Sequence, residues 1–253
     1  MCLIAFAWKA HPRWRLLLLG NRDEAHARPA APLAHWDEAP DVMAGRDLEA
    51  GGTWMGVSAD GRAGVVTNVR DPGASKAGAS RGFLVADYLR GTASADACAH
   101  ALHVGSVDFR PFNLLLFDAG QAFYLGNHPH RRLQPVTPGV HGLSNADFNT
   151  PWPKTRALEE RLQAWLQHDV SDDFEPLFTA LADDARWPDD VLPDTGVGVA
   201  LERELSAAFI RGERYGTRAS TVIAVDHQGG GCIIERSFGP AGEPYGQRRL
   251  DFT

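Results

Sequence analysis

The stretch Met1 to Glu24, MCLIAFAWKAHPRWRLLLLGNRDE, decides how the chain folds. Two apolar runs, Leu3 to Trp8 and Trp14 to Leu19, flank the segment Lys9 to Arg13, with Pro12 inside it. Short apolar runs split by turn-forming residues predict a β-hairpin. Paired residues of an antiparallel hairpin keep a constant sum. A turn centred between His11 and Pro12 sets Cys2 opposite Asn21. A thiol, an amide, a guanidinium and a carboxylate (Cys2, Asn21, Arg22, Asp23) then converge where the apolar strands end.

Cys is small enough for aminopeptidase removal of the Met before it. Cys2 would then carry a free α-amine beside its thiol. Such an amine titrates at about 7.7–8.0 and can act as a base near neutral pH. A nucleophile activated by its own terminal amine is an established arrangement. A Cys in an apolar strand is also an ordinary small buried side chain, and a polar cluster at a strand end is also an ordinary turn. The two readings separate on Met1.

Composition bounds the rest. The chain has 253 residues, 44% apolar and 23% charged, with net charge -7 and pI about 5.8. Bulk attraction to nucleic acid or an anionic membrane is not expected at that charge. Cys2, Cys98 and Cys232 are too few and too scattered for a disulfide framework or a zinc site, and reduced thiols predict a cytoplasmic location. The first apolar run precedes the first charges, the reverse of a secretory leader. No run reaches membrane-spanning length. His100 and His103 share a helical face without a third ligand, so no metal site is expected.

Further along, Ala25 to Leu48 reads as an irregular surface excursion. Asp60-Gly61 between Gly51–Ser58 and Arg62–Asn68 predicts a second hairpin. Ser80 and Ser94 read as N-caps of helices reaching Arg90 and about His103. Phe112–Phe117 and Gln121–Leu125 flank a turn at Asp118-Ala119-Gly120. Val136–Ser144 reads as strand. Helices are predicted over Lys154–His168, about Phe174–Ala182 and Val199–Arg211. Thr217–Asp226 and Cys232–Phe238 form a last hairpin. Neither Ser58 nor Ser144 sits in a nucleophile elbow.

Strand hairpins and helices come in blocks, which predicts α+β with antiparallel sheets. Many strands are apolar on both faces, whereas a half-wet strand should alternate. Two stacked sheets covered by helices resolve this. With no repeat and no linker, one domain over 1–253 is expected.

Asn21-Arg22-Asp23-Glu24 spells N-R-D-E, the signature of the NRDE family, which includes the transport-and-Golgi-organisation type. The match extends through Gly51-Gly52-Thr53-Trp54 with Gly56, Thr67-Asn68 and Leu143-Ser144-Asn145. The family resembles N-terminal-nucleophile hydrolases of the choloylglycine hydrolase and penicillin V acylase group. That resemblance implies an αββα four-layer sandwich. It implies Cys2 as nucleophile, Asp23 holding the terminal amine, Asn68 and Asn145 at the oxyanion, and Arg218 near the nucleophile. Asn21, Arg22 and Trp54 are expected to contact substrate. The acylase group has Arg directly before the Asn; here Gly20 stands there. Because strand side chains alternate, Arg22 is expected on the other face.

Two functions fit. One is a hydrolase of an amide or thioester in a small acylated molecule. The other is a non-catalytic carrier of haem or an acyl-CoA or lipid ligand, which the resemblance also implies. Haem would be cargo, since no Cys-x-x-Cys-His attachment motif is present; no other cofactor is expected. Intact mass of protein expressed from its native start is expected to show loss of Met1; a retained Met1 would exclude the hydrolase.

Overall fold

In this computed structural model, which describes residues 2–75, 77–105, 108–168 and 172–253, two antiparallel sheets stack face to face with helices on both outer sides. The opening hairpin forms from β1 (Cys2–Trp8) and β2 (Trp14–Ala25). It lies at the heart of a six-stranded sheet with β10 (Gly139–Leu143), β11 (Tyr215–Asp226), β12 (Gly231–Phe238) and β13 (Pro244–Phe252), in the order β10-β1-β2-β11-β12-β13. The second sheet runs in sequence order: β3 (Ala30–Trp36), β4 (Ala39–Asp47), β5 (Met55–Ser58), β6 (Ala63–Asn68), β7 (Phe112–Phe117), β8 (Ala122–Gly126) and β9 (Arg132–Pro135).

Alternation within the hairpin builds two cores at once. Ile4, Phe6, Trp8, Leu16 and Leu18 face the second sheet and pack with Met43, Met55, Val57, Val65, Leu115 and Phe117. Leu3, Ala5, Ala7, Leu17 and Leu19 face outward, under α3 (Pro153–His168) and α4 (Glu175–Leu181), through Leu158, Leu162, Leu177, Phe178 and Leu181. A fully buried Leu contributes about 2 kcal/mol, so leucines on both faces drive the hairpin into the middle layer. The second sheet is covered by α1 (Gly82–Arg90) and α2 (Ala95–Val104), through Leu84, Val85, Leu89, Ala95 and Ala99. This is the αββα sandwich expected from the sequence.

The hairpin register differs from expectation by one residue. Cys2 pairs with Arg22, Leu3 with Asn21 and Ile4 with Gly20. Directly opposed residues share a face, so Arg22 lies on the Cys2 side and Asn21 on the other. The turn centres on Pro12, one half-residue later than its composition implies.

Three further elements differ. Ala25–Leu48 is no loop but carries β3 and β4. Pro32 fits because β3 is an edge strand with irregular pairing between Ala31 and Ala34, where a missing N–H costs no ladder bond. Leu33 falls in that gap and is served by the opposite sheet: Glu235 accepts its N–H at 2.8 Å and Arg248 donates to its carbonyl at 3.0 Å. The third late helix, α5, covers only Val199–Glu204. Ser80 is not a cap, since the α1 N-cap position is Arg81; Ser94 does cap α2, accepting from the Ala97 N–H.

Gly20 shows how tightly the sheets approach. A Cβ there would lie 2.5 Å from Ile4 Cδ1 and 2.8 Å from the Leu3 carbonyl oxygen. Gly20→Ala is therefore expected to cost about 1–3 kcal/mol. An unchanged urea midpoint would show that the hairpin relaxes freely.

Candidate functional site

The intersheet core ends where the hairpin's even-numbered residues change from Ile4 and Gly20 to Cys2 and Arg22. Beyond them the sheets enclose a cavity of about 330 Å³, lined by Cys2, Arg22, Asp23, Trp54, Asn68 and Arg218 among others. This is within the size range of small-molecule sites. Six of the eight residues singled out from the sequence therefore border one cavity. Asn21 and Asn145 do not.

Cys2 sits 7% exposed at the inner end of the cavity. Burial pushes its thiol above the ordinary range, Asp23 adds to the rise, and Arg22 opposes it. Among the described residues Arg22 has one acidic neighbour within ion-pair reach, Glu24 at 4.0 Å. The cation absent at Gly20 is thus supplied two residues later on the same strand face. Gly20 itself has no room for a side chain. The expectation that Arg22 turns away is corrected by the register.

Arg218 reaches the cavity through a β-bulge. In the β11–β2 ladder Thr217 pairs with Asp23 and Ala219 with Arg22, leaving Arg218 as the extra residue. Bulges re-aim a side chain in this way. Its Nη1 donates to the carbonyls of Ala25 and Arg28, each at 3.0 Å, which fixes the turn after β2. Nothing in the sequence marks the bulge.

Asn21 serves the fold. Fully buried on the helix side, its Nδ2 donates to the carbonyls of Leu181 and Ala208 at 2.7 and 2.8 Å, and its Oδ1 accepts from Ser220. Its expected substrate contact is corrected accordingly: it locks α4 and the segment before β11 onto the hairpin. Asp23, 1% exposed, accepts from Thr217 Oγ1 at 2.7 Å. Burial raises its carboxyl pKa, opposed by the positive charges of Lys154 and Arg70.

The two asparagines divide their work. Asn145 Nδ2 donates to the Asn68 carbonyl at 2.9 Å and to Asn68 Oδ1 at 3.1 Å. Both of its amide hydrogens are thereby engaged. Holding Oδ1 orients the Asn68 amide, whose Nδ2 has only a long 3.4 Å contact to the Val69 carbonyl. Asn68 is thus the cavity donor, and Asn145 positions it. Ser144 joins this corner to β1, donating from Oγ to the Cys2 carbonyl at 3.0 Å.

Sequence reasoning missed Lys154. Fully buried, it donates to the Leu205 carbonyl at 2.8 Å. Burial brings its pKa down to about 8, opposed by the negative charges of Asp23 and Cys2. Beside it Arg70 pairs with buried Glu202 at 2.5 Å and stacks on Trp152. Lys154 opens an amphipathic helix and reads as a surface residue, so no sequence signal marks it. Arg28, Arg81 and Arg110 were likewise missed on the cavity wall. Gly52 explains part of the Gly-Gly-Thr-Trp motif: a Cβ there would lie 2.4 Å from the Gly82 carbonyl carbon. Only glycine lets the Trp54 segment rest on the start of α1.

The profile of the family described as Transport and Golgi organisation 2 matches residues 1–240. The chain belongs to that family. Among Transport and Golgi organisation 2 relatives, the mouse and human homologues are each 31% identical over 94% of this chain and 93% of their own. The fruit-fly protein is 26% identical over 94% and 92%. Among solved structures, a mutant conjugated bile acid hydrolase from Clostridium perfringens superposes with a TM-score of 0.57 over 99% of this chain and 92% of that one, at 9% identity. A Caenorhabditis elegans N-acylethanolamine-hydrolyzing acid amidase does so at 0.52 over 88% and 92%, at 11% identity. The family member described here thus has a fold of the N-terminal-nucleophile hydrolase type.

Arg22 offsets the burial of Cys2, so Arg22→Gln is expected to move the midpoint of Cys2 alkylation upward by about one pH unit. Iodoacetamide rates between pH 6 and 10 check this, and superimposable profiles would remove Arg22 from the thiol's environment.

Proposed function

We propose that Cys2 is the nucleophile of a hydrolase acting on an amide or thioester bond in a small acylated molecule. The observation that carries this reading is the shared cavity, with the Cys2 thiol at its inner end, Arg22 on the same strand face and Asn68 held by Asn145. Met1, whose loss this requires, lies outside the described residues. With Met1 gone, the α-amine beside Asp23 takes the thiol proton as the sulfur attacks the carbonyl. Asn68 stabilises the oxygen that becomes negative, the C–N or C–S bond breaks as the α-amine returns the proton to the departing amine or thiol, and water, deprotonated by the same amine, hydrolyses the acyl-Cys2 thioester to free acid and thiol. Asp23 is the positioning residue for the amine. That the fold neighbours include an N-acylethanolamine-hydrolyzing acid amidase and a conjugated bile acid hydrolase supports the same chemistry.

A carrier of haem or an acyl-CoA or lipid ligand is the second reading. It is favoured by the burial that keeps the Cys2 thiol from ionising readily and by the family's description in terms of transport. The three free cysteines support a reducing, cytoplasmic setting for either. Among the described residues no helix is long and apolar enough to cross a membrane.

A panel of acyl amides and acyl-CoA thioesters, with a haem titration, separates the two. Cys2→Ala is expected to abolish turnover while binding persists. Asn68→Ala is expected to lower kcat by about 10²-fold, and Asn145→Ala less, since the donor remains. Tight ligand binding unaffected by Cys2→Ala, with no turnover by the parent protein, would establish the carrier instead.

A further inference from the structure

The cavity wall is strongly cationic. Its lining carries Arg22, Arg28, Arg46, Arg81, Arg110 and Arg218 among the described residues, against the carboxylates of Asp23, Glu24, Asp47 and Glu235. One of these acids offsets a wall arginine and another is bound to backbone. Asp47 pairs with Arg28 at 2.8 Å, and Glu235 is buried on the backbone of Leu33.

Arg81, Arg110 and Arg218 have no carboxylate within 4.0 Å among the described residues. Among the described residues Arg81 donates only to the Pro111 carbonyl, at 3.3 Å, and is mostly removed from solvent. Arg218 has a buried Nε with no hydrogen-bond partner. Among the described residues Arg110 makes no side-chain hydrogen bond. Arg81 feels Arg110 and Arg28 as repelling charges, with the Cys2 thiolate and Glu24 opposing them. Arg81 is partly desolvated and repelled by Arg110, and none of the three arginines has a protein carboxylate as counter-charge among the described residues. Guanidinium forks match phosphate and carboxylate oxygens in shape as well as charge.

We propose that Arg81, Arg110 and Arg218 hold an oxyanionic headgroup, phosphate or carboxylate, of the molecule whose acyl bond is presented to Cys2. This rests on the hydrolase reading for the acyl bond, but the anion site stands on the arginines alone. The buried Cys2 and the exposed Arg110 both line the cavity, so the substrate would lie with its charged end toward solvent.

The test compares alkylation of Cys2 by anionic iodoacetate and neutral iodoacetamide, followed on the Cys2 peptide by mass spectrometry at low salt. Any change in thiol pKa affects both reagents equally and cancels in their ratio. The ratio is expected to exceed that of glutathione by about tenfold, as for a steered anion, and to fall at least threefold, as an order of magnitude, in Arg81→Met and Arg110→Ala. Arg110→Ala breaks no bond of the fold and so keeps the test independent of stability. Calorimetry with inorganic pyrophosphate and with glutarate identifies the headgroup. Tighter pyrophosphate binding assigns phosphate, tighter glutarate binding assigns carboxylate, and either is expected to weaken in Arg110→Ala. A ratio equal to glutathione's, with both anions binding the parent no better than an Arg81→Met/Arg110→Ala double variant, overturns the proposal. Anion binding without turnover of any acyl compound would instead count against the hydrolase alone.

Discussion

The pairing of Cys2 with Arg22 across the first hairpin is the constraint from which the rest of the site follows. That register continues inward as Ile4 with Gly20 and Phe6 with Leu18, residues buried between the sheets. A slip of one position would exchange every side chain between the intersheet core and the helix-covered face. Gly20, with no room for a side chain, and Asn21, hydrogen-bonded on the helix side, hold the alignment of the two polar residues at the hairpin's end. Stability and chemistry are set by one alignment.

Charge is sorted between layers accordingly. Toward the other sheet lie the thiol and the arginines of the cavity. Toward the helices lie Asp23, Lys154 and the Arg70–Glu202 pair, all buried. The acid and the amine are each pushed toward neutrality by burial and pulled back toward charge by each other. Removing either leaves the other's buried charge without that compensation. Asp23, at the boundary, belongs to both layers.

The four layers were legible in the sequence because apolar runs on both faces of a strand admit few other arrangements. The family signature located most of the cavity wall. What stayed hidden had physical reasons. The hairpin register depends on how many residues the turn uses, and Lys9 to Arg13 leaves that open by one. β3 and β4 were obscured by prolines, of which Pro32 sits where an edge strand tolerates it. Arg218 was placed at the site by resemblance, yet the bulge that delivers it has no composition of its own. Asn145 carries the same motif signal as Asn68, and only the direction of their hydrogen bonds separates donor from support. Arg81 and Arg110 come from a helix start and a loop that chain folding alone brings to Cys2.

Leu33 carries a last consequence. At an edge strand, an amide and a carbonyl left outside the ladder are ordinarily an open template for a foreign chain to add a strand. Here Glu235 and Arg248 occupy both groups from the facing sheet. The edge is thereby closed to intermolecular pairing at the point where the ladder is broken. The irregularity that lets Pro32 into β3 is thus also a guard against self-association.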